Sequence, residues 1–206
     1  MADLPTGGLF SRFDPRCSVL YINTVTRRLP WALNNLGVVL GDTGGPSAVL
    51  WQAGTVMPLP LPEGSFCAGG SRLNDHNDVA GTGFSEGGAT APTGAIAWHE
   101  GEATILIPPD PVLNFSSAGD INSRGVIVGM SLNLDGLGVQ AATIWDGRCG
   151  QDLNTLISRQ DPLQPFVRFR DALLINNRGQ IVAEGFDSRR TDDRTSWYLL
   201  TPVAEQ

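Results

Sequence analysis

The 206-residue chain carries 21 acidic against 14 basic residues, a formal net charge of −7, and is 41% hydrophobic and 17% charged. That make-up belongs to a globular chain able to build one substantial core, and its acidity disfavours nucleic acid as a partner. All 14 basic residues are arginine, which excludes a lysine Schiff base and a P-loop lysine, and no apolar run reaches the ~18–20 residues of a membrane-spanning helix.

Residues 1–16 form an N-terminal extension without a basic stretch leading into an apolar one. The sequence therefore reads as cytoplasmic as it stands, or as secreted if a signal peptide has been removed. Residues 17–23 (CSVLYIN) predict an apolar strand. Cys17, Cys67 and Cys149 are widely spaced, without the pairing that a zinc site needs, and permit at most one disulfide plus one free thiol.

From there the chain repeats itself. ALNNLGVVLG at 32–41, RLNDHNDVAG at 72–81, DINSRGVIVG at 120–129 and LINNRGQIVA at 174–183 align on Asn34, Asn74, Asn122 and Asn176. Each asparagine is preceded by Leu or Ile. Three residues on stands Gly37, Asn77, Gly125 or Gly179, and five on stands Val39, Val79, Ile127 or Ile181. This is the chemistry of a β-hairpin: Asn opens the turn, Gly or Asn takes the left-handed position, and β-branched residues start the return strand.

A small-x-apolar-Trp element follows each hairpin as AVLW at 48–51, AIAW at 95–98 and ATIW at 142–145, with SWYL at 196–199 as a degraded fourth copy. It predicts a third strand, with Trp51, Trp98 and Trp145 in the core between sheets. TVMPL and EATILI supply a fourth strand in the first two repeats. The expected fold is all-β: a small β-propeller of about four four-stranded blades, with repeats near 31–70, 71–117, 118–171 and 172–201 in a single domain over 17–206. Residues 17–23 would complete the last blade and close the ring; a β-sandwich of repeated hairpins is the competing architecture.

The pattern A-x-x-IN-x-x-G-x-x-x-G followed by A-x-x-W-x-x-G resembles the HAF-type repeat of bacterial extracellular proteins over roughly residues 31–201. INSRGVIVG with AATIWDG fits it best, whereas Asn77 replaces the glycine of repeat two and repeat four lacks its tryptophan. The resemblance implies the repeated β fold and export. It carries no catalytic residues.

In an up-and-down blade the short turns gather on one side and the long connections on the other. The long segments 82–94, 130–140, 154–172 and 186–195 therefore mark the side where a site is expected. Two residues before each anchor asparagine stand Ala32, Arg72, Asp120 and Leu174, so Arg72 and Asp120 are expected to pair between neighbouring blades. Arg168 and Arg170, beside Asp171, suggest a bidentate anion clamp. Glu86, Asp135, Asp110, Arg159, Asp161 and the charge-balanced run 187–194 share that side.

Other motifs carry less. GFSEG at 83–87 has the spacing of a nucleophile elbow, but GGATAPTG follows where a helix is needed. His76 and His99 fall in short turns on the opposite side, and NDHND lacks the ligand spacing of a calcium loop. The favoured function is a recognition module binding a glycan, peptide or small molecule on the long-loop face through Arg72, Arg168, Arg170, Glu86 and Asp135. The alternative is a cofactor-independent lyase, hydrolase or cyclase using Asp120 and Asp171 with the arginines. No cofactor, metal, nucleic acid or membrane partner is expected, and the oligomeric state is left open.

Overall fold

The structure, a computed structural model, describes residues 29–85, 94–135, 138–192 and 194–203. These form four antiparallel sheets, each a meander of consecutive strands. Sheet I holds β1 (Pro30–Leu33), β2 (Val39–Gly41), β3 (Val49–Gln52) and β4 (Thr55–Pro58). Sheet II holds β5 (Ser65–Leu73), β6 (Val79–Ser85), β7 (Gly94–His99) and β8 (Glu102–Ile105). Sheet III holds β9 (Phe115–Ile121), β10 (Ile127–Leu132), β11 (Gln140–Trp145) and β12 (Gly150–Asp152). Sheet IV holds β13 (Val167–Ile175), β14 (Ile181–Asp187) and β15 (Ser196–Leu200). The chain is thus all-β, with one turn of 3-10 helix at Leu153–Leu156 among the described residues.

The hairpin chemistry forms as the repeat predicts. Gly37, Asn77, Gly125 and Gly179 hold φ of 76°, 67°, 78° and 76°, the left-handed conformation required at that point of the turn. In every copy the anchor asparagine Oδ1 accepts from the backbone N–H groups two and four residues on. The pairs are Leu36 and Val38, His76 and Asp78, Arg124 and Val126, and Arg178 and Gln180. The side chain thereby replaces the turn hydrogen bonds that a bare loop would leave to water.

Each sheet packs its first strand against the face of the sheet before it, giving three successive cores. Leu40 and Leu50 meet Ala68, Val79, Ile96 and Trp98 between sheets I and II. Ala80 and Ala95 meet Ala118, Ile121, Ile127 and Trp145 between sheets II and III. Val128 and Ala142 meet Phe169, Ala172, Ile175 and Ala183 between sheets III and IV. Trp98 and Trp145 are fully buried, and each indole N–H donates to a carbonyl of the preceding unit, Pro60 O at 2.8 Å and Ile107 O at 2.9 Å. Burying a side chain of this size stabilises by roughly 2–3 kcal/mol, provided that its polar tip is satisfied as here. Trp51, expected in the core, is only half-buried, because among the described residues no sheet precedes sheet I to cover it.

Repeat four departs from the sequence reading by one residue. Val79, Ile127 and Val39 pair with Trp98, Trp145 and Trp51, but Ile181 pairs with Leu200, not Leu199. The fourth copy of the Trp element is therefore WYLL at 197–200. Trp197 occupies the small-residue position of Ala48, Ala95 and Ala142. Such a slip exchanges the two faces of a strand, so Trp197 and Leu199 lie on the side away from sheet III while Tyr198 and Leu200 pack towards it.

The expected closing strand at 17–23 lies outside the described residues. Among those described, sheet IV has three strands, and no packing like that of the three junctions returns from sheet IV to sheet I. Cys67 and Cys149 are free thiols, and no helix is long and apolar enough to cross a membrane.

Candidate functional site

The turns at 34–37, 74–77, 122–125 and 176–179 lie at one end of the strands, together with the β3–β4, β7–β8 and β11–β12 turns. The long connections lie at the other. At that second end an open cleft of about 460 Å³ sits where the sheet II to III and sheet III to IV connections pass. Its apolar wall includes Val112, Leu113, Val139 and Leu156, and its charged groups are Asp110, Asp152 and Arg168. A second hollow of about 430 Å³ shares Asp152, Thr155 and Arg168 and extends the cleft past Asn154, Gln164 and Phe166.

The acids in this cleft are held by their own loops. Asp110 Oδ1 accepts from Val112 N at 2.9 Å, and Asp152 Oδ1 caps the 3-10 turn through Asn154 N at 2.9 Å and Asn154 Nδ2 at 2.7 Å. Asn154 then bridges to the first strand of sheet IV, with Nδ2 donating to Phe169 O and Oδ1 accepting from Phe169 N. That clamp fixes the neighbouring Arg168. Arg168 is exposed at the start of β13, and its guanidinium has no hydrogen bond or ion pair among the described residues. A cation beside an apolar wall and unused internally is suited to an anionic or hydrogen-bond-accepting group. The two carboxylates suit hydroxyl or amino donors.

The other residues singled out from sequence are placed differently. Arg170 does not join Arg168 in a clamp. Its Nε and Nη2 donate to Gln140 Oε1 at 3.0 and 2.6 Å, and its guanidinium stacks 5.1 Å above the ring of Phe186, so it braces sheets III and IV. Arg72 and Asp120 do not form the expected ion pair: Arg72 Nη1 donates to Ser71 O at 2.9 Å. Asp120 accepts from Ile121 N at 2.9 Å and from Ile175 N at 2.8 Å. Burial pushes the Asp120 carboxyl above its ordinary value against these two amides and the more distant charge of Arg72. The carboxylate ties sheet III to sheet IV through the backbone, a role that residue spacing cannot reveal because the partner is an amide and not a side chain.

Asp171 is cross-strand from Glu184, which is cross-strand from Trp197, so all three share the outer face of sheet IV and none lines the cleft. Burial, then the charge of Glu184, raises its pKa. Asp135 accepts from Asn114 Nδ2 at 2.8 Å and joins the 110–114 and 133–139 connections. Glu86 lies outside the described residues, as does Gly87, while Gly83, Phe84 and Ser85 of GFSEG end β6. In the 187–194 run Asp187 accepts two side-chain bonds from Arg189, which pulls its pKa down to about 2, and Arg190 pairs with Asp192 at 2.8 Å.

On the short-turn side His99 Nδ1 lies 2.7 Å from Asp78 Oδ1, and that hydrogen bond raises the pKa of the exposed imidazole. No group of three or more His, Cys, Asp and Glu is placed to hold a metal ion among the described residues. One feature escapes the sequence reading altogether. The anchor asparagines form a ladder from sheet to sheet, with Asn34 Nδ2 donating to Asn74 O, Asn74 Nδ2 to Asn122 O and Asn122 Nδ2 to Asn176 O, at 3.0, 3.0 and 3.4 Å. Their recurrence was visible in the sequence; this second use of the amide was not.

No family model, no curated protein and no solved structure matches the chain.

Proposed function

We propose that the chain is a ligand-recognition module whose sheets are blades of a propeller-type array. In this reading it takes a compact polar ligand, such as a glycan, a peptide or a small molecule, in the cleft beside Arg168. Three features support the array: the repeated four-strand meander, the packing of each first strand on the preceding sheet, and the resemblance to the HAF-type repeat. The observation that carries the binding reading is the Arg168 guanidinium, which lines an apolar-walled cleft with Asp110 and Asp152 and is engaged by no internal partner among the described residues.

The ligand class follows from that set. Arg168 accommodates a carboxylate or another anionic group, the acids accept from hydroxyl or ammonium groups, and the apolar wall covers a carbon face. The enzymatic alternative draws less support, since Asp120 is occupied by two backbone amides and Asp171 does not line the cleft.

The test is a thermal-shift and calorimetric screen of the chain against acidic and neutral sugars, amino acids and short peptides, repeated with Arg168→Ala. A hit whose affinity falls at least tenfold in the variant, with an unchanged melting midpoint, upholds the reading. Hits that bind the variant equally well would place recognition elsewhere.

A further inference from the structure

We propose that this chain associates head to tail with a second copy of itself, the outer face of sheet IV in one copy packing on the outer face of sheet I in the next. The inference rests on the stacking of the sheets and not on what the cleft holds.

The internal junctions show what such faces are built to meet. At every junction the following sheet presents an Ile or Leu from the end of its first strand and a large residue from its third. Ile121 with Trp145 and Ile175 with Leu200 are two of these pairs. The preceding sheet offers the small-residue position, filled by Ala48, Ala95 or Ala142. Ile121 and Ile175 are each 7% exposed, and the three alanines are at most 3% exposed.

The same two positions recur at the ends of the stack without cover among the described residues. Leu33 is the sheet I counterpart of Ile121 and Ile175, yet it is 66% exposed. It stands in one cross-strand row with Val39, Trp51 and Val56, and Trp31 beside it is 50% exposed. Trp197 is the sheet IV counterpart of the buried alanines and is 76% exposed, with Leu199 at 64% and Leu174 at 47% on the same face. Contiguous exposed apolar surface of this kind marks an interface. Here its two halves occupy the positions of the two sides of a junction that the chain already makes three times, with Trp197 in the place of the alanine and with Glu184 and Asp171 in the row beside it.

The polar register agrees. Each inner anchor carbonyl, Asn74 O, Asn122 O and Asn176 O, accepts from its own turn and from the preceding asparagine. Asn34 O accepts from Gly37 N of its own turn and from no asparagine among the described residues. At the other end Asn176 Nδ2 is turned back on Gln180 Oε1 in an exposed turn. Stacking sheet IV on sheet I of another copy extends the ladder by one rung, Asn176 Nδ2 to Asn34 O. The contact is heterologous, so it closes into a ring where the rotation allows and otherwise continues as an open array.

The experiment is light scattering with size-exclusion chromatography, and sedimentation velocity over a wide concentration range, on the full chain and on L33E and W197E. Both substituted side chains are exposed, so both variants keep the fold, checked by circular dichroism. The wild type is expected at twice or more the 21.9 kDa of one chain, and each variant alone as a monomer. An equimolar mixture of the two variants is expected to recover a mass of two chains, since each retains the face that the other lacks. A wild-type monomer at every concentration overturns the proposal, whether sheet IV then meets its own sheet I or stays bare. So does a mixture that fails to recover, or a variant that associates as the wild type does. Ligand binding by the cleft is read separately, through Arg168→Ala, so the two proposals fail independently.

Discussion

The two ends of the strands are built by different rules. On the short-turn side the same few atoms do the same job in every sheet: an asparagine Oδ1 closes the turn, a left-handed residue follows and, in sheets I to III, an amide N–H reaches the next sheet. On the long-loop side a local turn bond recurs, an Asp or Asn Oδ1 accepting from the N–H two residues on, but the bonds between segments differ from sheet to sheet. Asp110, Asn133, Asp152 and Asn154 each fix a different segment, and Arg168 has no internal partner among the described residues. The repeating side carries the fold, which leaves the irregular side available to differ in composition without loss of the scaffold.

That contrast breaks first if the repeating side tolerates change. A Cβ on Gly129 would lie 2.0 Å from Ser117 O across the bulged β9–β10 pairing, against the backbone of Ser117 and Ala118. Gly129→Ala is expected to destabilise by about 3 kcal/mol in urea denaturation. The ladder itself is isolated by a pair of variants. Asn122→Ala removes two turn bonds and an inter-sheet bond at a buried site and should cost about 2–3 kcal/mol. Asn176→Ala removes the same turn bonds in an exposed turn and should cost only about 1 kcal/mol. Equal losses would mean that the inter-sheet amide contributes nothing.

A smaller effect comes from His99. Its pKa is raised above the ordinary 6.5 by Asp78, so the stability it contributes is full below that value and is lost as pH rises through the higher folded value. The melting midpoint should fall slightly over that interval, and His99→Gln should flatten the fall. At the bottom of the scale, Arg168→Ala should leave stability within about 0.5 kcal/mol of the wild type, since the side chain is exposed and touches nothing that the fold needs.

Much of the scaffold was legible because its signals are local. Asn-x-x-Gly followed by Val or Ile states a turn and a strand start within six residues, and the third strand announces itself by Ala and Trp. The slip in repeat four was not legible. SWYLL offers two registers one residue apart, and only pairing with Ile181 selects Leu200. Trp51 reads like Trp98 and Trp145, and its half-burial follows from the lack of a preceding sheet among the described residues. The side that holds the cleft was inferable from loop lengths, and Arg168 was among the residues named. Asp110 was named on the same side, Asp152 gained its place only through the path of the connection after sheet III, and Arg72 and Asp120, adjacent in the repeat frame, found other partners in space.

The asparagine ladder also says how the chain should come apart. Its rungs join residues 40, 48 and 54 positions apart, always between consecutive sheets, and each sheet is otherwise a meander of local pairings. Cooperativity then travels only from neighbour to neighbour, as in a linear array of coupled units. Amide hydrogens in sheets II and III, held from both sides, should exchange most slowly, and those of sheets I and IV should be lost first, each by fraying that leaves the middle of the stack folded.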